Sequence, residues 1–199
     1  MMKYLWLGIF FVVLIWSAVS PKDQFTWFLE VAPALIGFVL IVATYKKFPL
    51  TPLLYTLILM HMIILMVGGH YTYAEVPLFD TIKEMFDQTR NNYDKVGHLA
   101  QGFIPAILAR ELLIRKEVVS GSRIWLNYIT LSIILAFSAF YELIEWWVAL
   151  TSGEDAEAFL GTQGYIWDTQ SDMGWALMGG ILALILLSRL HDRQLKEKI

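Results

Sequence analysis

Residues 125–150, WLNYITLSIILAFSAFYELIEWWVAL, decide the fold, because the stretch carries no charge other than Glu142 and Glu145. A hydrocarbon core of about 30 Å is crossed by roughly 17–25 apolar residues in a helix. Backbone in lipid must also satisfy its own hydrogen bonds, which a helix does within one segment. Outward from this stretch, five further segments meet the same requirement, near Tyr4–Val19, Trp27–Tyr45, Thr51–Gly69, Val96–Ile114 and Trp167–Leu187. The expected fold class is therefore all-α: a polytopic membrane protein, a bundle of six transmembrane helices forming a single domain over residues 1–199.

Composition agrees, with 57% hydrophobic residues, 17% charged and a mean hydropathy of +0.56. The charges cluster between apolar runs, which excludes a nucleic-acid binder, a secreted disulfide scaffold and a disordered regulator. With no cysteine there is no thiolate metal site and no cysteine nucleophile. The net charge of −3 identifies no partner beyond the lipid bilayer and fixes no oligomeric state. Lys3 ahead of an apolar run ending in Ser17, Ala18 and Ser20 imitates a signal peptide, but Pro21 argues against cleavage, so this segment reads as a retained helix.

Lys and Arg in short loops orient a membrane chain. One side carries Lys3, Lys46, Lys47, Arg110, Arg115, Lys116, Arg123, Arg189, Arg193, Lys196 and Lys198; the other has Lys22, Lys83, Arg90 and Lys95. Both termini are expected in the cytoplasm. The acidic residues divide oppositely: Glu111, Glu117, Asp192 and Glu197 lie inside and all others lie outside or in the outer half of a span. In the outer segment Tyr71–Tyr93, Phe79, Ile82 and Phe86 recur at helical spacing, predicting a short amphipathic helix in the interface. The loop Thr151–Ile166, with Glu154, Asp155 and Glu157 among Gly153, Gly161 and Gly164, is expected to be irregular and mobile. Trp27, Trp125, Trp146, Trp147 and Trp167 lie near span ends, where amphipathic rings are stable at headgroup depth.

Ionisable groups inside a span are costly unless paired, hydrated or metal-bound, so they mark candidate sites. Span four opens with Asp94 and His98, span five carries Glu142 and Glu145, and span six opens with Asp168 and Asp172. Spacings of three and four put each pair on one helical face. Given the direction of each span, all six side chains share an outer depth, and His70 at the end of span three joins them. Such a set of carboxylates requires a counter-ion: a divalent metal, shared protons or a cationic substrate. Gln101 and Pro105 continue the Asp94–His98 face, Ser138 lies one turn below Glu142, and Ala176 and Gly180 extend the Asp168–Asp172 stripe with small residues that permit close helix approach.

The runs Tyr93-Asp94-Lys95-Val96-Gly97-His98, Tyr141-Glu142-Leu143-Ile144-Glu145-Trp146 and Gly164 to Met173 (GYIWDTQSDM) resemble the YjdF family of bacterial inner-membrane proteins. The order Asp-Lys-x-x-His, Glu-x-x-acid, Asp-x-x-x-Asp is more loosely similar to VanZ-like membrane proteins, whose second motif more often ends in Gln and whose last is shorter. The resemblance implies the fold, the site and an inner-membrane location, and supplies no reaction.

Divalent Zn, Mn, Mg or Fe suits an oxygen and nitrogen donor set of Asp94, His98, Glu142, Asp168, Asp172 and His70. The leading expectation is a metal-dependent hydrolase or transferase acting from the outer side on a lipid or lipid-linked substrate, with Glu145, ahead of Glu142, as general base. The alternatives are a cation or proton-coupled transporter and an assembly or sensing protein with a structural metal site. Transport predicts polar residues continuing inward, whereas Ile107–Leu113, Leu131–Ala136 and Ile181–Leu187 read as almost wholly apolar. Plainer roles are also open: a hydrogen-bond network tying helices together, N-caps for Asp94 and Asp168, a core histidine at His61, and a solvated tail residue at His191.

Overall fold

The computed structural model describes residues 2–152, 157–160 and 162–197. Regular structure among them is helical: α1 (Met2–Ala18), α2 (Gln24–Thr44), α3 (Pro52–Tyr71), α4 (Pro77–Met85), α5 (Tyr93–Arg115), α6 (Arg123–Ser152), α7 (Glu157–Leu160) and α8 (Asp168–Leu195). The helices match the expected spans to within a few residues at every end but one, since the sixth continues past Leu187 to Leu195. By length and composition α2, α3, α6 and α8 can cross a membrane. The apolar α1 is shorter, and α5 carries Asp94, Lys95, Arg110, Glu111 and Arg115. Ile36, Val39, Leu40 and Val42 of α2 are exposed, a surface that suits lipid rather than water. Trp125, Trp146, Trp147 and Trp167 are likewise exposed.

The expected amphipathic helix is α4, started by Pro77 at its first turn. In the loop expected to be irregular, Glu157–Leu160 forms the single turn α7. Gly153, Glu154, Asp155 and Gly161 of that expectation lie outside the described residues, as does Lys198.

The chain divides into two compact units. The first comprises Met1–Ala43, Leu59–Gly97 and Ile144–Ile166. Within it α1 packs on α2 through Phe10, stacked 4.5 Å from Phe38, and the Trp27 indole donates to Ser17 Oγ at 3.2 Å. Tyr73, Val76 and Tyr93 form a second cluster there, with Phe79 of α4 edge-on to Tyr93 at 5.2 Å. Asn91 joins the cluster to α4, donating to the Val76 carbonyl at 3.0 Å and to Asp80 at 2.9 Å.

The second unit comprises Thr44–Ile58, His98–Leu143 and Trp167–Ile199. Here α5 and α8 touch backbone to backbone: a Cβ on Gly102 would collide with the Ala176 carbonyl, and one on Gly179 with that of Leu99. The small-residue stripe of α8 thus permits close approach, with Ala176 and Gly179 meeting α5 while Gly180 faces Leu131 and Ile134 of α6. That contact sets the distance between the polar side chains the two helices carry.

Candidate functional site

Within the second unit His98 of α5, Glu142 of α6 and Asp172 of α8 converge, with side chains only 8%, 5% and 4% exposed. His98 Nδ1 lies 3.1 Å from Gln101 Oε1 and 3.9 Å from Glu142 Oε1. Its Nε2 lies 3.9 Å from Asp172 Oδ2. The Tyr141 ring stands edge-on to the imidazole at 6.3 Å. Ser138, one turn below Glu142, is fully buried, and its hydroxyl has no hydrogen-bond partner among the described residues.

Two carboxylates around one imidazole leave a negative balance even when the imidazole is protonated. When Nδ1–H donates to Gln101, the Nε2 lone pair faces the Asp172 carboxylate, and a proton or cation between them relieves the repulsion. Ligand atoms sharing an ion at about 2.0–2.2 Å lie roughly 3–4 Å apart, and the 3.9 Å between His98 Nε2 and Asp172 Oδ2 falls in that range, while Glu142 stands beside the other nitrogen.

The other expected residues lie as follows. Asp168 is buried in the first turn of α8, one turn before Asp172. The N-cap of α8 is Trp167 without a side-chain cap, so Asp168 is not that cap. Asp94 lies in the first turn of α5, and within the first unit the Arg90 guanidinium donates to it at 3.3 Å. Arg90 and Lys95 both stand over the Tyr165 ring, at 5.8 and 5.7 Å. Glu145 follows Glu142 by one turn of α6 and is partly buried. His70 belongs to the first unit, with Nδ1 3.0 Å from the Ser17 carbonyl and its ring 4.5 Å from that of Trp16. His61 is partly buried in the middle of α3.

A second buried cluster was not expected from the sequence. Glu111 of α5 and His191 of α8 are both fully buried, with His191 Nε2 3.0 Å from Glu111 Oε2. Glu111 also accepts from Thr51 Oγ1 at 2.9 Å and from Arg115 at 2.8 Å. The far side of His191 meets Arg110, with Nδ1 2.8 Å from Nη1, and Arg110 pairs with Asp192 at 2.5 Å. This corrects two expectations. His191 is not a solvated tail residue, because α8 continues to Leu195 and buries His191 with Leu184 and Leu195 on one face. Nor is the stretch Ile107–Leu113 apolar, since Arg110 and Glu111 within it are buried charges. The signal was there: His191 follows the apolar Leu184 by seven positions and precedes Leu195 by four, which is helical spacing.

Comparison with known proteins agrees with a membrane protein and with the family resemblance. A family described as predicted membrane protein, DUF2238, matches residues 2–193. Inner membrane protein YjdF of Escherichia coli (strain K12) is 51% identical over 186 residues, which cover 94% of this chain and 88% of that protein. No solved structure matches. With nearly its whole length matched, the chain belongs to the DUF2238 family of membrane proteins.

Proposed function

We propose that this chain crosses the bacterial inner membrane six times, through α1, α2, α3, α5, α6 and α8, with both termini cytoplasmic. On this reading the His98–Glu142–Asp172 cluster is a divalent-metal site open to the outer side, serving a hydrolase or transferase that acts on a lipid or lipid-linked substrate. One observation carries it: the 3.9 Å separation of His98 Nε2 from Asp172 Oδ2, with Nδ1 engaged by Gln101. A metal-binding histidine has its other nitrogen held by an acceptor in this way, which fixes the tautomer and orients the ring.

His98 Nε2 and Asp172 are the ligand core, with Glu142 beside the other imidazole nitrogen, and Asp94 and Asp168 are carboxylates one turn away along α5 and α8. His70, committed to Ser17 and Trp16 in the first unit, is left out of the ligand set. A bound Zn, Mn, Mg or Fe ion supplies Lewis acidity toward a phosphoryl or carbonyl oxygen and makes a nearby water more acidic. Glu145, not required as a ligand, is assigned to take the proton from that water. Elemental analysis tests the site: the purified parent should carry stoichiometric metal, Asp172→Ala should lose most of it, and Glu145→Gln should keep it. A parent protein purified without metal and unresponsive to added metal overturns the reading.

Proton or cation transport is the second reading, favoured by one feature of α6. Ser138 lies one turn before Glu142 on the same face and Thr130 lies further down the helix, both fully buried, and neither hydroxyl has a hydrogen-bond partner among the described residues. Buried hydroxyls of this kind are usually satisfied by water, and hydrated hydroxyls below a carboxylate can pass protons. Proton flux across reconstituted vesicles that Ser138→Ala abolishes would select transport over hydrolysis.

A further inference from the structure

The basic end of the second unit holds a cavity of about 900 Å³, bordered by the last turns of α5 and α8 and the start of α6. Five basic side chains line it, Arg110, Arg123, Arg189, Arg193 and Lys196, against two acidic ones, Glu117 and Asp192. Asp192 is already shared, 2.5 Å from Arg110 and 3.3 Å from Arg123, so it does not neutralise the rest. The wall also includes Ser120, Gly121 and Ser122, the turn that leads into α6. Ser122 Oγ accepts from the Trp125 N–H at 3.3 Å, which places the positive end of a 30-residue helix dipole at the cavity.

A separate observation points to a ligand. Arg110 is only 3% exposed, yet its Nε has no hydrogen-bond partner among the described residues. Arg110 lines the cavity, and a buried guanidinium N–H without an acceptor is costly to leave unmade. Guanidinium groups match phosphate oxygens in fork geometry, which lysine does not. Depth is indicated by Trp125 and Tyr128, both exposed and edge-to-face at 5.8 Å, within two turns of the cavity wall at Arg123. Exposed amphipathic rings of this kind mark the headgroup level of a bilayer. Basic pockets between membrane helices bind anionic lipid headgroups.

We propose that this cavity binds a phosphate-bearing anion, and that its source is the headgroup of an anionic membrane phospholipid. Its ligand is an anion, opposite in charge to the cation proposed for the carboxylate cluster, and the two sites are independent.

The test uses the full chain in phosphatidylcholine nanodiscs with and without phosphatidylglycerol, with unfolding followed by tryptophan fluorescence. Phosphatidylglycerol should raise the melting temperature by roughly 5 °C. The double variant Arg189→Gln, Arg193→Gln, which alters two exposed side chains, should lose most of that rise. Lys46→Gln, an exposed basic position outside the cavity lining, should keep it. No rise in the parent, or an undiminished rise in the double variant, overturns the site. A rise with inorganic phosphate in phosphatidylcholine discs but none with phosphatidylglycerol overturns the lipid source.

Discussion

The second unit contains two buried polar clusters made from the same residue types, and they are closed differently. Around Glu111 every neighbour is a donor at hydrogen-bond distance: Thr51 Oγ1 at 2.9 Å, Arg115 at 2.8 Å and His191 at 3.0 Å. The cost of burying that carboxylate is offset by the protein itself. Around His98 the two carboxylates stand off at 3.9 Å, and the nearer neighbour is the uncharged Gln101. A cluster closed by its own donors holds helices together. One that sets two carboxylates about an imidazole at 3.9 Å has the spacing of a cation site, and clustered titratable groups of this kind gather at functional sites.

The contrast is broken most directly at Glu111. Replacing it with Ala strips the acceptor from His191, Arg115 and Thr51 together, and should cost about 3–5 kcal/mol of stability in thermal or denaturant unfolding. Asp172→Asn should by comparison stay within about 1 kcal/mol of the parent, because it keeps volume and hydrogen-bonding capacity while removing a buried charge. If the two variants lose equal stability, both clusters are structural.

A smaller effect sharpens the same difference. Added divalent metal should raise the melting temperature of the parent, and of Glu111→Gln if that variant folds, but not that of Asp172→Asn or His98→Gln. Equal metal response in all four removes the ligand assignment.

The smallest effect belongs to an exposed pair, Lys22 and Glu75 in the first unit, 2.5 Å apart with side chains 53% and 54% exposed. The hydrogen bond that Lys22 donates to Glu75, together with the Glu75 charge, raises the Lys22 pKa above 10.5. Because the folded value is the higher one, the contribution is complete below the unfolded value and is lost as pH rises through the folded one. Lys22→Gln should therefore melt slightly below the parent at pH 8, a difference that shrinks with salt and disappears in strong alkali.

Much of the candidate site was legible because each pair sits within a single helix. Asp94 with His98, Glu142 with Glu145 and Asp168 with Asp172 follow from helical spacing alone, and the small residues of α8 indicated where another helix could come near. His191 escaped because its segment looks polar: Arg189, Asp192 and Arg193 surround it, and only a helix extended to Leu195 turns it inward. Arg110 and Glu111 escaped for the complementary reason, as charges near a span end read as interfacial until a neighbouring helix covers them.

The sequence by itself determined that the chain is helical and membrane-embedded, and where each helix runs, because apolar length and helical period are local properties. Only the tertiary structure decided which charges were answered by partners. Glu111 meets His191 across 80 positions of chain, and His98 meets Asp172 because Gly102 and Gly179 let two backbones touch. Whether a buried charge is satisfied depends on distances of a few tenths of an ångström between helices, and those are set by packing rather than by order along the chain.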